Sequence, residues 1–170
     1  MASYIELTQG QRAIVDDLFF EELNRYKWHT DRKQKRSTYY AVRYTHRENG
    51  IVKSTSMHRS VMQLAGLDVS SIIDHRNGNG LDNRLENIRN ASASQNCWNS
   101  RKQKNNTSGY KGVYWEPRRC HWFAVINVNL KRIYLGHYET SVAAAAAYNK
   151  AAIQLHGEFA RLNIGLQEHD

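Results

Sequence analysis

Two cysteines, Cys97 and Cys120, and one proline, Pro117, are all that this 170-residue chain contains of either residue. With no CxxC pair and no Cys/His cluster, neither a disulfide framework nor a structural zinc site is expected, and free thiols in a reducing compartment follow. Acids are scarce too: 16 Asp and Glu stand against 24 Lys and Arg, a formal net charge of +8. No run approaches the ~20 apolar residues a membrane-spanning helix needs, and the mean hydropathy is −0.73. The opening MASYIELTQGQR has no apolar core of signal-peptide type. The expectation is a cytoplasmic protein without membrane contact.

A pI near 9.6 calls for an anionic partner, nucleic acid before acidic lipid. Residues 30–47 carry six cations (Arg32, Lys33, Lys35, Arg36, Arg43, Arg47) against Asp31. Residues 97–120 carry six more (Arg101, Lys102, Lys104, Lys111, Arg118, Arg119) against Glu116. The hydrophobic fraction of 41% and aromatic fraction of 11% suit a folded chain, long enough for one ordinary domain or two small ones.

Between the two basic blocks lies the most informative stretch, residues 72–99. Ile72-Ile73 runs as a strand into Asp74-His75, and Asn77-Gly78 and Asn79-Gly80 signal a turn. A second extended piece is expected to carry Leu85, Asn87 and Ile88. Ser92-Ala93-Ser94-Gln95 then reads as a capping box opening a helix. An Asp carboxylate and the amide oxygen of Asn96 are hard ligands, suited to Mg²⁺ or Mn²⁺ rather than Zn²⁺. His75, beside them and not itself a ligand, has the chemistry of a general base near neutral pH. A cation, a base and water together can hydrolyse a phosphodiester.

Asp74-His75, Asn87 and Asn96 in this order resemble the HNH motif of the ββα-metal nucleases, a fold of many phage- and intron-encoded homing endonucleases. Met57-His58-Arg59 resembles the HR segment found upstream in that family. The resemblance implies that His75 is the general base and that Asp74 and Asn96 hold one metal ion. Asn87 would fix the loop that holds His75. The third letter of the motif is Asn96 rather than His, which favours Mg²⁺ over zinc or nickel. His58 reads as a scaffold residue.

The rest of the chain sorts around this motif. Residues 4–7 and 12–15 alternate as short strands about Thr8-Gln9-Gly10. Asp16 is placed to cap a helix over 17–26, with Leu18, Phe19 and Leu23 as its apolar stripe. Trp28 is assigned to the core. Residues 39–45 and 51–57 read as a hairpin closed by Glu48-Asn49-Gly50, with the basic loop 32–37 protruding. A short helix over 58–65 ends at Gly66. Residues 100–108, polar, basic and aperiodic, read as a linker between domains 1–99 and 109–165. Beyond it, strands are expected at 112–115, 121–128 and 133–138. A helix over 142–156 follows, capped by Thr140 or Ser141, and its run of five alanines lets it lie close to the sheet.

SGYKGVYW, WFAVINV, IYLGHYET and AAAAYNKAAIQLHGEFARLN in this order resemble the APETALA-type (ethylene-response-factor) DNA-binding domain. In that family the sheet, not the helix, enters the major groove. The resemblance implies DNA contacts at Lys111, Tyr114, Trp115, Arg118, Trp122, Asn127, Lys131, Arg132 and Tyr134; by charge, Arg119 is added to them, and Arg101, Lys102 and Lys104 of the basic linker are expected to follow the phosphate backbone. Tyr114 and Asn127 stand where the family has arginine, so base specificity does not carry over.

The expected fold class is α+β: a small N-terminal sheet leading into a ββα-metal nuclease domain, a basic linker, then a three-stranded antiparallel sheet with one helix. The expected function is an Mg²⁺- (or Mn²⁺-) dependent DNA endonuclease in the host-cell cytoplasm of a phage. It would act on double-stranded DNA as a monomer or transient dimer, without small-molecule cofactor. The alternatives are a non-catalytic sequence-specific DNA-binding regulator and an RNA-binding or structural protein that uses charge alone.

Overall fold

The computed structural model describes residues 1–31, 38–44 and 52–166. The basic loop at 32–37 and the turn Glu48-Asn49-Gly50 lie outside the described residues. The fold is mixed α and β, with several small antiparallel sheets and four α-helices among the described residues. The chain divides into two compact units, Met1–Ser92 and Ala93–Asp170.

In the first unit the N-terminal alternation becomes an antiparallel hairpin of β1 (Ala2–Glu6) and β2 (Arg12–Asp16), joined through a 3₁₀ turn at Thr8–Gly10. Helix α1 (Asp17–Asn24) follows, two residues shorter than the periodicity predicts. Its buried face is Phe19 and Leu23; Leu18, expected in the same stripe, points outward at 83% exposure. Leu18 adjoins Phe19 in sequence, about 100° round the helix, and the core takes the i, i+4 pair instead. Asp16 makes no side-chain cap. Its Oδ2 accepts instead from the Leu85 amide at 2.8 Å, a long-range use that local spacing does not reveal.

A strand that the residue pattern does not signal, β3 (His29–Asp31), pairs with β4 (Tyr40–Tyr44), which pairs in turn with β5 (Ser54–Ser56). Three residues are too few to show a period. Helix α2 (Met57–Leu64) buries Met57, Val61 and Met62, and Gly66 follows it at φ +68°. The core gathers Ile5, Val15, Leu23, Met57 and Val61 around Trp28, whose Nε1 donates to the Leu23 carbonyl at 2.8 Å. Against this core lies the hairpin of β6 (Ile72–His75) and β7 (Ile88–Ala91), in the register Asp74↔Arg89 and His75↔Ile88. Leu85 and Asn87, expected on the second strand, belong to the connecting loop.

The second unit begins with helix α3 (Ala93–Trp98). The domain boundary therefore falls before α3, and the expected linker packs within the second unit. The Trp98 ring stacks on His156, with centroids 4.5 Å apart and planes 8° apart. The Lys111 ammonium donates to the carbonyls of Trp98 (2.5 Å) and Ser100 (2.7 Å). Such backbone bonds are invisible in a polar, aperiodic string.

The sheet is β8 (Val113–Glu116), β9 (His121–Val128) and β10 (Lys131–Tyr138), antiparallel with β9 in the centre. Helix α4 (Ser141–His156) is capped by Thr140, whose Oγ1 accepts from the Ala143 amide at 3.1 Å. Ala144, Ala145, Ala151 and Ala152 are buried, and with Tyr148 they pack on Val113, Ala124 and Ile126. The close approach depends on Gly112, at φ +75°: a Cβ there would sit 2.2 Å from the Tyr148 ring. Trp122 packs at the margin of this core rather than on the sheet's outer face.

His156 is buried, with Nε2 bonded to the Asn127 carbonyl at 3.0 Å. Burial lowers its pKa below 6.5, helped by the nearby Lys111 charge and opposed by the Asn127 bond. A native pKa below the unfolded value means that stability is present above pH 6.5 and is lost as the unfolded chain takes up a proton below it. Between pH 7.5 and 5 the melting temperature of the wild type should fall more steeply than that of His156→Phe, which keeps a ring against Trp98. Parallel slopes would refute this.

Candidate active site

The site is built on the end of β6 and on the loop 76–87 that returns to β7. Asx side chains make that loop. Asn77 Oδ1 accepts from the Asn79 amide (2.8 Å), Asn79 Oδ1 from the Leu81 amide (3.1 Å), and Gly78 takes φ +71°. Asn87 clasps both ends: its Oδ1 accepts from the Asn77 amide at 3.0 Å and its Nδ2 donates to the Asp82 carbonyl at 2.7 Å. Strand β2 holds the loop from behind. Ile14 donates to the Leu81 carbonyl and accepts from the Asn83 amide, both at 2.8 Å. The N-terminal hairpin is therefore part of the site's scaffold.

Gly80 lets the loop lie on β4. Its amide donates to Thr38 Oγ1 at 3.0 Å. A Cβ on Gly80 would stand 2.4 Å from the Tyr39 carbonyl oxygen and 2.8 Å from the Tyr40 ring. Backbone cannot yield as a flexible side chain can, so Gly80→Ala should destabilise the first unit by about 1–3 kcal/mol. In urea titrations this reads as a lower midpoint at an unchanged slope; an unchanged midpoint would show that the loop moves freely.

His75 is buried, at 5% exposure. Its ring meets His58 edge to face at 5.1 Å and Tyr40 at 5.7 Å. Its Nε2 lies 3.3 Å from Asn83 Oδ1. Asn83 is fully buried and spends its Nδ2 on the Leu81 carbonyl (3.2 Å) and Met57 Sδ (3.5 Å), so Oδ1 is an acceptor and His75 Nε2 is the donor. The lone pair is thereby assigned to Nδ1. Burial drives the His75 pKa below 6.5, opposed by the Asn83 bond and by the charges of Asp74 and Asp82. The imidazole is consequently neutral at pH 7, the state a base requires.

Asp74, also buried, accepts at Oδ2 from Arg89 Nε and Nη2, each at 3.0 Å. In the loop, Asp82 is gripped by Arg84 through Nε to Oδ1 and Nη2 to Oδ2, both at 2.8 Å. These bonds hold its carboxyl below the usual range. Asn83, Arg89 and Asp82 are not among the residues that the motif singles out. Arg89 was legible in principle, because it faces Asp74 across the β6–β7 register. Nothing local marks Asn83.

Of the expected residues, the first unit brings together Asp74, His75 and Asn87, while Asn96 stands exposed on α3 in the second unit. Among the described residues no group of three or more His, Cys, Asp or Glu could hold a metal ion. Of the two donors expected for Mg²⁺, the first unit holds the Asp74 carboxylate, a hard oxygen donor of the kind that this cation takes while keeping several waters, and its Oδ2 already accepts from Arg89.

The expected DNA-binding residues separate into those held in the fold and those exposed on its surface. The Lys111 ammonium is tied to two carbonyls, and burial lowers its pKa to about 8. Trp122 belongs to the core margin. Arg118, Arg119, Asn127, Lys131 and Arg132 are exposed, as are Tyr114, Trp115 and Tyr134. In the former linker Arg101, Lys102 and Lys104 are exposed, and Lys102 Nζ donates to the Gly109 carbonyl at 2.8 Å. Among the described residues no helix is long and apolar enough to cross a membrane.

Over 89 residues, 52% of this chain and 73% of the relative, the sequence is 36% identical to Protein 3.8 of Escherichia phage T7. Over 67 residues, 39% of this chain, it is 36% identical to APETALA2-like protein 2 of Oryza sativa subspecies indica and japonica, of which the match spans 15%. No protein-family model and no solved structure matches.

Proposed function

The chain belongs to the family of Protein 3.8 of Escherichia phage T7, and from that premise we propose that it is an HNH-type endonuclease that nicks or cleaves double-stranded DNA. The observation that carries this reading is His75. It is a buried, neutral imidazole whose Nε2 is committed to Asn83, on a loop clasped by Asn87 and beside the Asp74 carboxylate. His75 Nδ1 accepts a proton from the water that attacks the scissile phosphate, and Asn83 steadies the resulting imidazolium through Nε2. Asn87 keeps the loop closed, and Arg89 fixes the orientation of Asp74. Asp74 is the carboxylate of the first unit that would hold Mg²⁺ or Mn²⁺, which when bound would supply positive charge to the phosphate and the leaving 3′ oxygen. The products are 5′-phosphate and 3′-hydroxyl ends. One base per chain nicks one strand; cutting both takes a transient dimer or two events.

Likeness to APETALA2-like protein 2 supports DNA binding by the second unit, through the exposed cations Arg101, Lys102, Lys104, Arg118, Arg119, Lys131 and Arg132. The place of action is the host-cell cytoplasm. The test is conversion of supercoiled plasmid to open circles with Mg²⁺ or Mn²⁺, set against His75→Ala. One observation favours the second reading, a DNA-binding regulator. The Asp74 carboxylate is already engaged by Arg89 in a buried pair, a structural use of that acid. Duplex binding without metal-dependent nicking would decide for the regulator.

A further inference from the structure

Strand β8 pairs with β9 only from Val113↔Ala124 to Glu116↔His121, so the last residues of β9, up to Val128, run on past it. Beside them, bounded by α3 and residues 100–107, lies a cavity of about 720 Å³, a size that suits a small ligand. Its charge is of one sign: Arg101, Lys102 and Lys111 border it, and no Asp or Glu does. Lys111 is the anomaly. Its side chain is half-buried, and two of its three N–H groups go to the carbonyls of Trp98 and Ser100. Among the described residues the third has no partner and no carboxylate pairs with the charge. Burial, helped by the positive charge of Arg161 and opposed by Cys97, brings its pKa down to about 8. A cation drawn out of water is ordinarily paired with an acid; here the described chain supplies none. Next to it the Trp98 ring is held flat on His156, which is itself bonded to the Asn127 carbonyl. The half-exposed remainder of the indole borders the cavity, as do Gln103 and Asn105, whose side-chain amides make no hydrogen bond among the described residues.

We propose that this cavity binds a free nucleoside monophosphate, with its phosphate on the Lys111 ammonium and its base along the Trp98 indole. A phosphate oxygen takes the third N–H and supplies the missing counter-charge in one contact. Trp98 is already held by His156, so a base that packs against it pays little to order the ring. The amides of Gln103 and Asn105 offer donors and acceptors to a base edge. A concave site walled by α3 and residues 100–107 admits one nucleotide, not the two stacked strands of a duplex. Neither the nuclease centre of the first unit nor the outer face of the sheet takes part.

The test alkylates the full chain with iodoacetamide, an uncharged reagent, in EDTA and follows each cysteine by mass spectrometry. Both cysteines are exposed, but Cys97 lines the cavity and Cys120 does not, so Cys120 is the internal control. At least one of the common ribonucleoside 5′-monophosphates should slow Cys97 labelling saturably and leave Cys120 unchanged. The parent nucleoside should need a concentration about 10- to 150-fold higher, the worth of a hydrogen bond to a charged group. Lys111→Met, shown to be folded by its melting curve, should lose the same factor for the monophosphate and none for the nucleoside. The nucleoside comparison is made on the wild type, so a misfolded variant does not block it. No slowing by any monophosphate overturns the proposal. Equal slowing by inorganic phosphate overturns the base contact, and equal slowing by the nucleoside overturns the Lys111 contact. Slowing by a duplex at the same nucleotide concentration overturns the assignment to a free nucleotide.

Discussion

His75→Ala is expected to lower metal-dependent nicking of supercoiled DNA by about 10²- to 10⁴-fold, the usual worth of a positioned general base, while duplex binding survives. The expectation follows from where the proton goes. Nε2 is taken by Asn83 and burial keeps the ring neutral, so Nδ1 is the basic atom, and alanine removes it without touching the exposed cations of the second unit. The substitution also leaves Asn83 Oδ1 buried without its donor, a cost of about 1–3 kcal/mol. Melting curves of the variant are therefore recorded alongside. Asn83→Leu supplies a second arm. It keeps the imidazole but releases Nε2, so it should cost activity less than His75→Ala and shift the pH profile of nicking. Undiminished nicking by folded His75→Ala would remove His75 from the mechanism.

Arg89→Met should be the most destabilising single change in the first unit, at about 3–5 kcal/mol. Both partners of the Asp74–Arg89 pair are buried. Methionine preserves much of the arginine stem but abandons the carboxylate where water cannot replace the lost donors, and breaking one side of a buried pair carries this cost. At roughly 4–8 °C per kcal/mol for a unit of this size, the transition of the first unit should fall by about 12–40 °C. Adding Asp74→Asn to Arg89→Met removes the stranded charge and should recover part of the loss, which a double-mutant cycle reads directly. A loss below about 1 kcal/mol would mean that solvent already reaches the pair.

The chain's own order of residues determined the parts. Strands and the C-terminal helix were legible because their signals are short-range: alternation in residues 121–128, the Thr140 cap, Gly66 and Gly157 at helix ends. The grouping of Asp74, His75 and Asn87 on one hairpin was legible as residue types at fixed spacing, and so was the excess of cations. What joins those parts was not legible, because it depends on contacts between residues far apart in the chain. Asp16 bonds Leu85 instead of capping α1, Ile14 pins the loop, and Asn83 sets the His75 tautomer. Lys111 and Trp98 draw an apparent linker into the second unit. The same limit governed the sheet: periodicity gives two faces, but only the packing of α4 selects which aromatics are core, as Tyr148 is, and which, like Tyr134, stay in water. Local propensity acts over a few residues, whereas burial and long-range hydrogen bonds are settled only when the units close on their cores.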